Sequence, residues 1–477
     1  MKRKNIIIII ILAFLIPLFF SCGEELLEED PKGQLSSANI ASESTLQAVL
    51  YAAYGHSQND PFNGWLGHYS WCTDEMWEYG GHLEGKAQPF LSFSWNPLTP
   101  RVGWPWNGYY TGIRDANSVL DYVDELDNEN LKNLWKAEAK FLRAWCYTDL
   151  YSLYGPVPLV TTNDRDEFEI PRASDEEMKS FIETELRAAA DNLPESQDEF
   201  GRATKGSALA VLCKFLLNTR QWEKSAQVAQ EIIDMGIYEL YPDYAELFMP
   251  SSEPNRGEFL WLFNKSITAS SNACMGCAYP PGYPTNQMIW ACNYGVYADF
   301  YESFYSDDKR KELIITKYFN TNLGDTVNLL EQTEEFGGPR VFKYRDPNGV
   351  GVSHGNDIPS VRYADILLSR AEALNRMNGP NQESIDLINQ VRDRAGIPEL
   401  ELSQFASKQA LNDTILQERN WEFYFEMKRR EDLLRHDQFI SNAQARGIGG
   451  AEERDVLFPL PQDAIDANPE LEQNEGY

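Results

Sequence analysis

Two stretches of this chain concentrate side chains that bind rather than react. Six of the twelve tryptophans, Trp65, Trp71, Trp77, Trp95, Trp104 and Trp106, fall within 42 residues, where even spacing would put about one. The second stretch, Ser266 to Ala298, runs thirty-three residues without a charge or a histidine in a chain that is 24% charged. It carries Tyr279, Tyr283, Trp290, Tyr294 and Tyr297 among asparagine and glutamine. A sugar offers an apolar C–H face inside a rim of hydroxyls, so flat rings beside neutral amides suit it. If each ring shields ~50 Å² at ~25 cal/mol/Å², it contributes ~1.2 kcal/mol, and three give ~4 before entropy is counted. That corresponds to millimolar to micromolar affinity, as capture followed by release requires. The stacking platforms expected here are Trp65, Trp71, Trp77, Tyr79, Tyr283, Trp290 and Tyr294, with Asn286 and Gln287 as hydrogen-bonding partners. Trp104 and Trp106 sit at a helix start and read as core. The missing charge from Ser266 to Ala298 favours a neutral oligosaccharide over an acidic one.

Catalytic patterns are weak by comparison. Gly351-Val352-Ser353-His354-Gly355 matches a nucleophile elbow in letters, but Asp346-Pro347-Asn348-Gly349 before it and Asp357-Ile358-Pro359 after it make a loop. No His-Glu-x-x-His and no phosphate-cradling glycine loop occurs, so no cofactor and no metal is expected and the chain reads as a non-enzyme. Asp164-Arg165-Asp166-Glu167 lacks calcium-loop spacing and reads as a solvated turn. Cys274, Cys277 and Cys292 lack a fourth zinc ligand, which favours a disulfide over metal, with unpaired thiols left open. Cys146 and Cys213 fall in helical patterns, where a small buried thiol is usual. Glu418, Arg419, Glu422, Glu426, Arg429 and Arg430 read as ion pairs along one helix face.

The 477 residues carry 42 basic and 73 acidic side chains, a net charge of −31. This excludes a nucleic-acid partner and disfavours polyanions in general. With 43% hydrophobic and 13% aromatic residues the chain is folded. Its first residues follow the order of a secretory signal: Lys2, Arg3 and Lys4, then an apolar run from Ile6 to Phe20, then Ser21 and Cys22. The run is too short to span a bilayer, and Ser21-Cys22-Gly23 looks like a bacterial lipobox whose cysteine is acylated. Residues 1–21 are therefore expected to be cleaved, leaving Cys22 as the only membrane attachment. Residues 22–45 form an acidic tether, with five acids among the seven residues Glu24 to Asp30.

The elements that must hold the two aromatic stretches are helical, and leave little room for β structure. Leu131, Leu134, Trp135, Leu142, Trp145, Cys146, Leu150 and Leu153 recur at three- and four-residue steps and stop at Gly155-Pro156. Ser174 to Glu177 has the form of a capping box opening a helix through Asn192. Thr204 to Asn218 pairs with Trp222 to Asp234 through Ala208, Ala210, Ala226 and Ala229. A similar pair is Tyr363 to Met377 with Ser384 to Arg394, and Glu418 to Arg435 reads as one more helix. Pairs of this length resemble tetratricopeptide units.

Several strings together resemble the SusD/RagB family of outer-membrane nutrient-binding lipoproteins. They are Trp106 to Asn117, Tyr151 to Leu159, Val361 to Ala373, Ile388 to Pro398, Ile415 to Leu434 and the tail Leu457 to Tyr477, in the family's order. The resemblance implies an all-α fold of about four tetratricopeptide-like helix pairs with long irregular loops, spanning 46–477 as one SusD-like domain. Its parts would be 46–200 with a Trp-rich loop at 60–106, 201–330 with the uncharged loop 266–298, and a C-terminal family region 331–477. It also implies a binding site built from loops of these two regions and an outward-facing place on the outer membrane. The partner it implies is a SusC-type, TonB-dependent transporter. A helical-repeat scaffold for peptides or proteins is the alternative, with binding on the concave helical face instead of the loop aromatics.

Overall fold

Short polar side chains set the helix starts. The computed structural model describes residues 42–57, 67–163, 169–250, 257–268 and 273–477. Its longer helices are α1 (Glu43–Ser57), α2 (Glu84–Leu91), α3 (Gly103–Tyr122), α4 (Glu129–Tyr154), α5 (Asp175–Asn192), α6 (Lys205–Asn218) and α7 (Trp222–Asp234). After a long insertion follow α8 (Tyr363–Asn378), α9 (Gln382–Ala395), α10 (Lys408–Phe423) and α11 (Arg429–Arg435). The Asn128 side chain accepts from the N–H groups of Asn130 and Leu131 to open α4. Ser174 and Glu177 form the expected capping box before α5, and Thr204 and Ser207 form one before α6. These caps satisfy N–H groups that a first turn leaves without partners. At the end of α9, Gly396 takes the left-handed conformation that closes a helix cheaply only for glycine.

The helices pack as a row. α1 lies on α3, α3 on α4, α4 on α5, α5 on α6, α6 on α7, α7 on α8, and α8 on both α9 and α10. Leu217 of α6, Ala226 of α7 and Ala373 of α8 meet in one small cluster, so compact side chains carry the row across residues 235–362. That insertion leaves the row and holds most of the strands. None of the helices among the described residues is long and apolar enough to cross a membrane.

Short β structure, all of it but β1 in the insertion, is present that the sequence did not suggest. Strands β1 (Met76–Tyr79), β3 (Asn293–Val296), β7 (Arg340–Val341) and β4 (Ile314–Ile315) form one antiparallel sheet in the order β1-β3-β7-β4. β2 (Phe259–Phe263) pairs with β8 (Ile358–Arg362), and β5 (Lys317–Asn320) with β6 (Asp325–Asn328). The Trp-rich stretch is not all loop either, since it contains α2 and β1. α1 begins inside the residues expected to be tether, with the Ser42 hydroxyl accepting from the Thr45 N–H.

The helix expected over Glu418 to Arg435 is broken in two. Between α10 and α11 the backbone turns through Phe425 and Met427, both with φ near +60°, a region that side chains other than glycine rarely adopt (φ 59° and 58°). Most of the charges read as ion pairs along one helix face are paired, but in the interior and mainly with partners on other elements. Arg310 reaches Asp308 and Glu418 at 2.7 and 2.6 Å, Arg362 reaches Glu258 and Glu426 at 2.7 and 2.8 Å, and Arg394 reaches Glu258 at 2.7 Å and also Glu422. Arg419 pairs with Asp365 and Asp432, and Arg435 with Glu372 and Asp432. Each of these groups sits next to several partners of opposite charge, the arrangement in which buried ions are tolerated. The turn at 424–428 lets both flanking helices aim charge into the network, which one straight helix cannot do.

Candidate functional site

The two aromatic stretches meet as neighbouring strands. β1, from the Trp-rich segment, pairs with β3, from the uncharged one, in the register Met76↔Val296, Trp77↔Gly295, Glu78↔Tyr294, Tyr79↔Asn293. Strand side chains alternate faces, so Met76, Glu78, Tyr294 and Val296 point inward and are buried, while Trp77 and Tyr79 share the outer face. A Cβ at Gly295 would fall within the Trp77 indole, and Gly337 and Gly338 also approach it. The ring thus lies on a floor of glycines that no other residue would supply. The buried Arg340 guanidinium stacks 5.2 Å from the indole and donates to Asn293 Oδ1 at 3.2 Å. Asn293 Nδ2 in turn donates to the Tyr79 carbonyl at 2.8 Å. Tyr79 itself is 59% exposed.

A second feature adjoins the same uncharged stretch. A cleft of about 550 Å³ is lined by Tyr279, Tyr283, Asn286, Gln287, Phe342 and Arg345, together with Pro284, Thr285 and Asp346 to Gly349. Tyr283 stacks on Tyr279 with ring centres 4.9 Å apart and planes 17° from parallel, and tilts against Tyr318 and Phe342. Burial pushes the phenol pKa of Tyr283 up, so the ring stays neutral. A disulfide, Cys277–Cys292, closes the loop that carries Tyr279, Tyr283, Asn286, Gln287 and Trp290. Trp290 is half-buried against Gly276, and its backbone N–H donates to the Gly276 carbonyl at 2.8 Å. Rings and amides around a cleft can hold a polyhydroxylated ligand, and nothing in this set is arranged as nucleophile and base.

Comparison with known proteins agrees with this architecture. A family model described as "SusD family" matches residues 315–477, and one described as "Starch-binding associating with outer membrane" matches residues 25–217. The chain is similar to SusD-like protein P25 of Formosa agariphila, at 26% identity over the full length of both. It is also similar to the starch-binding protein SusD of Bacteroides thetaiotaomicron, at 26% identity over 85% of this chain and 84% of that one. The chain belongs to the SusD family. Its fold matches a SusD superfamily protein from Parabacteroides distasonis, with a TM-score of 0.77 and 25% identity over 93% of this chain and all of that one. It also matches a surface glycan-binding protein of Bacteroides thetaiotaomicron solved with laminarihexaose, with a TM-score of 0.75 and 21% identity over 91% of this chain and 99% of that one.

In this SusD-family chain the expected site residues divide. Trp77 and Tyr79 lie together on the sheet face, and Tyr283, Asn286 and Gln287 lie together in the cleft. Trp71 is a correction: it lies in a five-residue turn, Gly67–Trp71, whose members are all buried, and it is 0% exposed beneath Arg101 and against Phe90. Tyr294 is another, at 2% exposed, because the pleat that turns Tyr79 outward turns its neighbour's partner inward. Gln287 is mostly buried, its Nε2 donating to the Asp346 carbonyl. Trp104, read as core, is 45% exposed on the first turn of α3 under Arg101, whereas Trp106 is buried as expected. Trp65, Cys22 and Asp164 to Glu167 lie outside the described residues.

Phe342, Arg345 and Asp346 line the cleft without having been expected there. The cleft is therefore not free of charge, although the stretch that forms its other wall is. The only hint in the sequence was the turn Asp346-Pro347-Asn348-Gly349 directly after two aromatics and an arginine. The elbow-like Gly351 to Gly355 runs through isolated bridges between β7 and β8, with no helix following it, so Ser353 is not presented as a nucleophile.

Proposed function

We propose that this protein is a cell-surface glycan-binding lipoprotein, without catalysis of its own, that captures oligosaccharide and passes it to a SusC-type TonB-dependent transporter. The observation that carries the reading is the β1–β3 pairing, which joins the two aromatic stretches and leaves Trp77 and Tyr79 on one outer face, while the same uncharged stretch supplies Tyr283 to a cleft. Family membership supports it, as do the starch-binding and glycan-bound proteins to which the chain is similar. Acylation at Cys22, following removal of residues 1–21, would anchor the chain to the outer membrane facing outward. Weak affinity per ring fits a carrier that must release what it holds.

The test is a glycan array probed with the wild-type protein and with Tyr79→Ala and Tyr283→Ala variants. Retention on oligosaccharides that falls in both variants supports the reading. Binding to peptides with no glycan retained would favour the helical-repeat scaffold instead. The transport role predicts that mild detergent extraction co-purifies a β-barrel partner, and extraction of the protein alone would count against it.

A further inference from the structure

Two polar atoms of the cleft have no protein partner. Nη1 of Arg345 is buried without a hydrogen bond, and among the described residues no carboxylate forms an ion pair with this guanidinium, which lies 5.5 Å from the Phe342 ring centre. Oε1 of Gln287 is buried without a partner as well, although its Nε2 is engaged. The nearby acids are committed elsewhere. Asp346 accepts from the N–H groups of Asn348 and Gly355, both at 2.9 Å, and Asp243 caps the N–H groups of Ala245 and Glu246 at 2.8 and 3.1 Å. Asp243 and Glu246 act on Arg345 only through space. A buried donor or acceptor without a partner costs about 1–3 kcal/mol, more when charged, and so needs an explanation.

We propose that Arg345 and Gln287 read an acidic glycan. A carboxylate or sulfate on the sugar accepts from Arg345, an adjacent hydroxyl donates to Gln287 Oε1, and the apolar face of the ring lies on Tyr283. This rests on the glycan-binding reading above and names its substrate class. It reverses the expectation of a neutral ligand, which followed from Ser266 to Ala298 alone. Arg345 also lines the cleft and comes from outside that stretch. The net charge of −31 does not decide the matter, because charges beyond about 8 Å are largely screened at physiological salt whereas the guanidinium acts at contact. A hydrogen bond to an ionised group is also about twice as strong as a neutral one.

The experiment titrates matched pairs of oligosaccharides: oligouronides against their methyl esters, and sulfated oligosaccharides against their desulfated forms. Wild type is expected to bind the acidic member of at least one pair about tenfold tighter, with the preference shrinking as salt is raised. Arg345→Gln should bring acidic and neutral members to equal affinity by weakening the acidic member far more than the neutral one, with the melting temperature unchanged. Arg345→Lys should restore part of the preference. Equal binding of both members of every pair, or an Arg345→Gln variant that weakens both alike, overturns the proposal. If neutral members bind in a Tyr79-dependent way without any acidic preference, the glycan-binding reading survives and this inference alone fails. If wild type binds no member of any pair, both fail.

Discussion

Trp77 stands directly across the strand pair from Gly295, and the indole occupies the space that a side chain at 295 would need. Glycine here is a requirement of the ring, since even a methyl group would have to displace it. Gly295→Val is therefore expected to expel the indole from its seat and weaken glycan binding by about tenfold, with the far-ultraviolet circular dichroism unchanged. Tyr79→Ala removes an exposed ring, and should weaken binding about sevenfold, from ~1.2 kcal/mol of lost contact, without altering the melting temperature. Calorimetric titration with the best array ligand checks both. Unchanged affinity in the two variants would remove the sheet face from the site.

The Cys277–Cys292 bridge closes a loop of 15 residues that carries the cleft's aromatic wall. Loss of a cross-link of that span removes up to ~3 kcal/mol of stability in the chain-entropy account. In Cys277→Ser/Cys292→Ser the loss is expected to be largely local, so affinity for glycan should fall more sharply than the melting temperature. Hydrogen exchange over residues 273–298 should rise with it. A variant with normal affinity and normal protection would show that the bridge does not order the cleft.

The buried charge network fastens the insertion to the helical row through Arg362, which reaches Glu258, Glu422 and Glu426. Removing one partner leaves uncompensated charge in the interior, so Arg362→Ala is expected to destabilise the protein by about 3–5 kcal/mol, read from denaturant titration. An effect below about 1 kcal/mol, the range of a surface pair, would mean that the network is wetter than its burial indicates.

Stability should depend on pH from both sides. Burial raises the carboxyl pKa of Glu75 and of Glu78 to about 8. These groups keep their protons in the fold after the unfolded chain has released them, so the stability they support is whole below pH ~4.5 and is lost as pH rises toward ~8. Asp74 behaves oppositely: burial would raise its pKa, but the Arg429 charge and hydrogen bonds outweigh that and hold it at about 2. Glu372 and Glu422 are likewise lowered, burial being outweighed by the arginines around them. Their contribution is present above the ordinary carboxylate range and is lost as pH falls through it and below. The melting temperature is thus expected to peak on the mildly acidic side of neutrality, with Glu78→Gln flattening the alkaline limb. A melting temperature that climbs steadily from about pH 5 to 9 would contradict this.

The helical row was legible because its signals are local. Asn128, Ser174 and Thr204 cap within three residues, and apolar side chains repeat along each helix. The strands were not, because each has two to five residues and is defined by a partner far away in sequence. β1 shows why pattern alone misleads: buried Glu78 stands where an apolar residue would be expected, between half-buried Trp77 and exposed Tyr79. The charge network was legible only as ion pairing along one helix face, because the i, i+4 spacing in α10 does not name the distant partners that bury it. Of the site, the composition of the two stretches was readable, but which of their rings face outward was fixed by the pleat. Arg345 belongs to neither stretch and could enter the site only through tertiary contact.

The central claim is that sugar lies against the loop aromatics and not on the concave surface of the helices. A crystal structure of the protein with an oligosaccharide selected from the array tests it most directly. The account predicts a sugar ring in van der Waals contact with Trp77, Tyr79 or Tyr283, and with hydroxyls near Asn286 or Gln287. A ligand seated among the helices of the row, with those rings untouched, would contradict it.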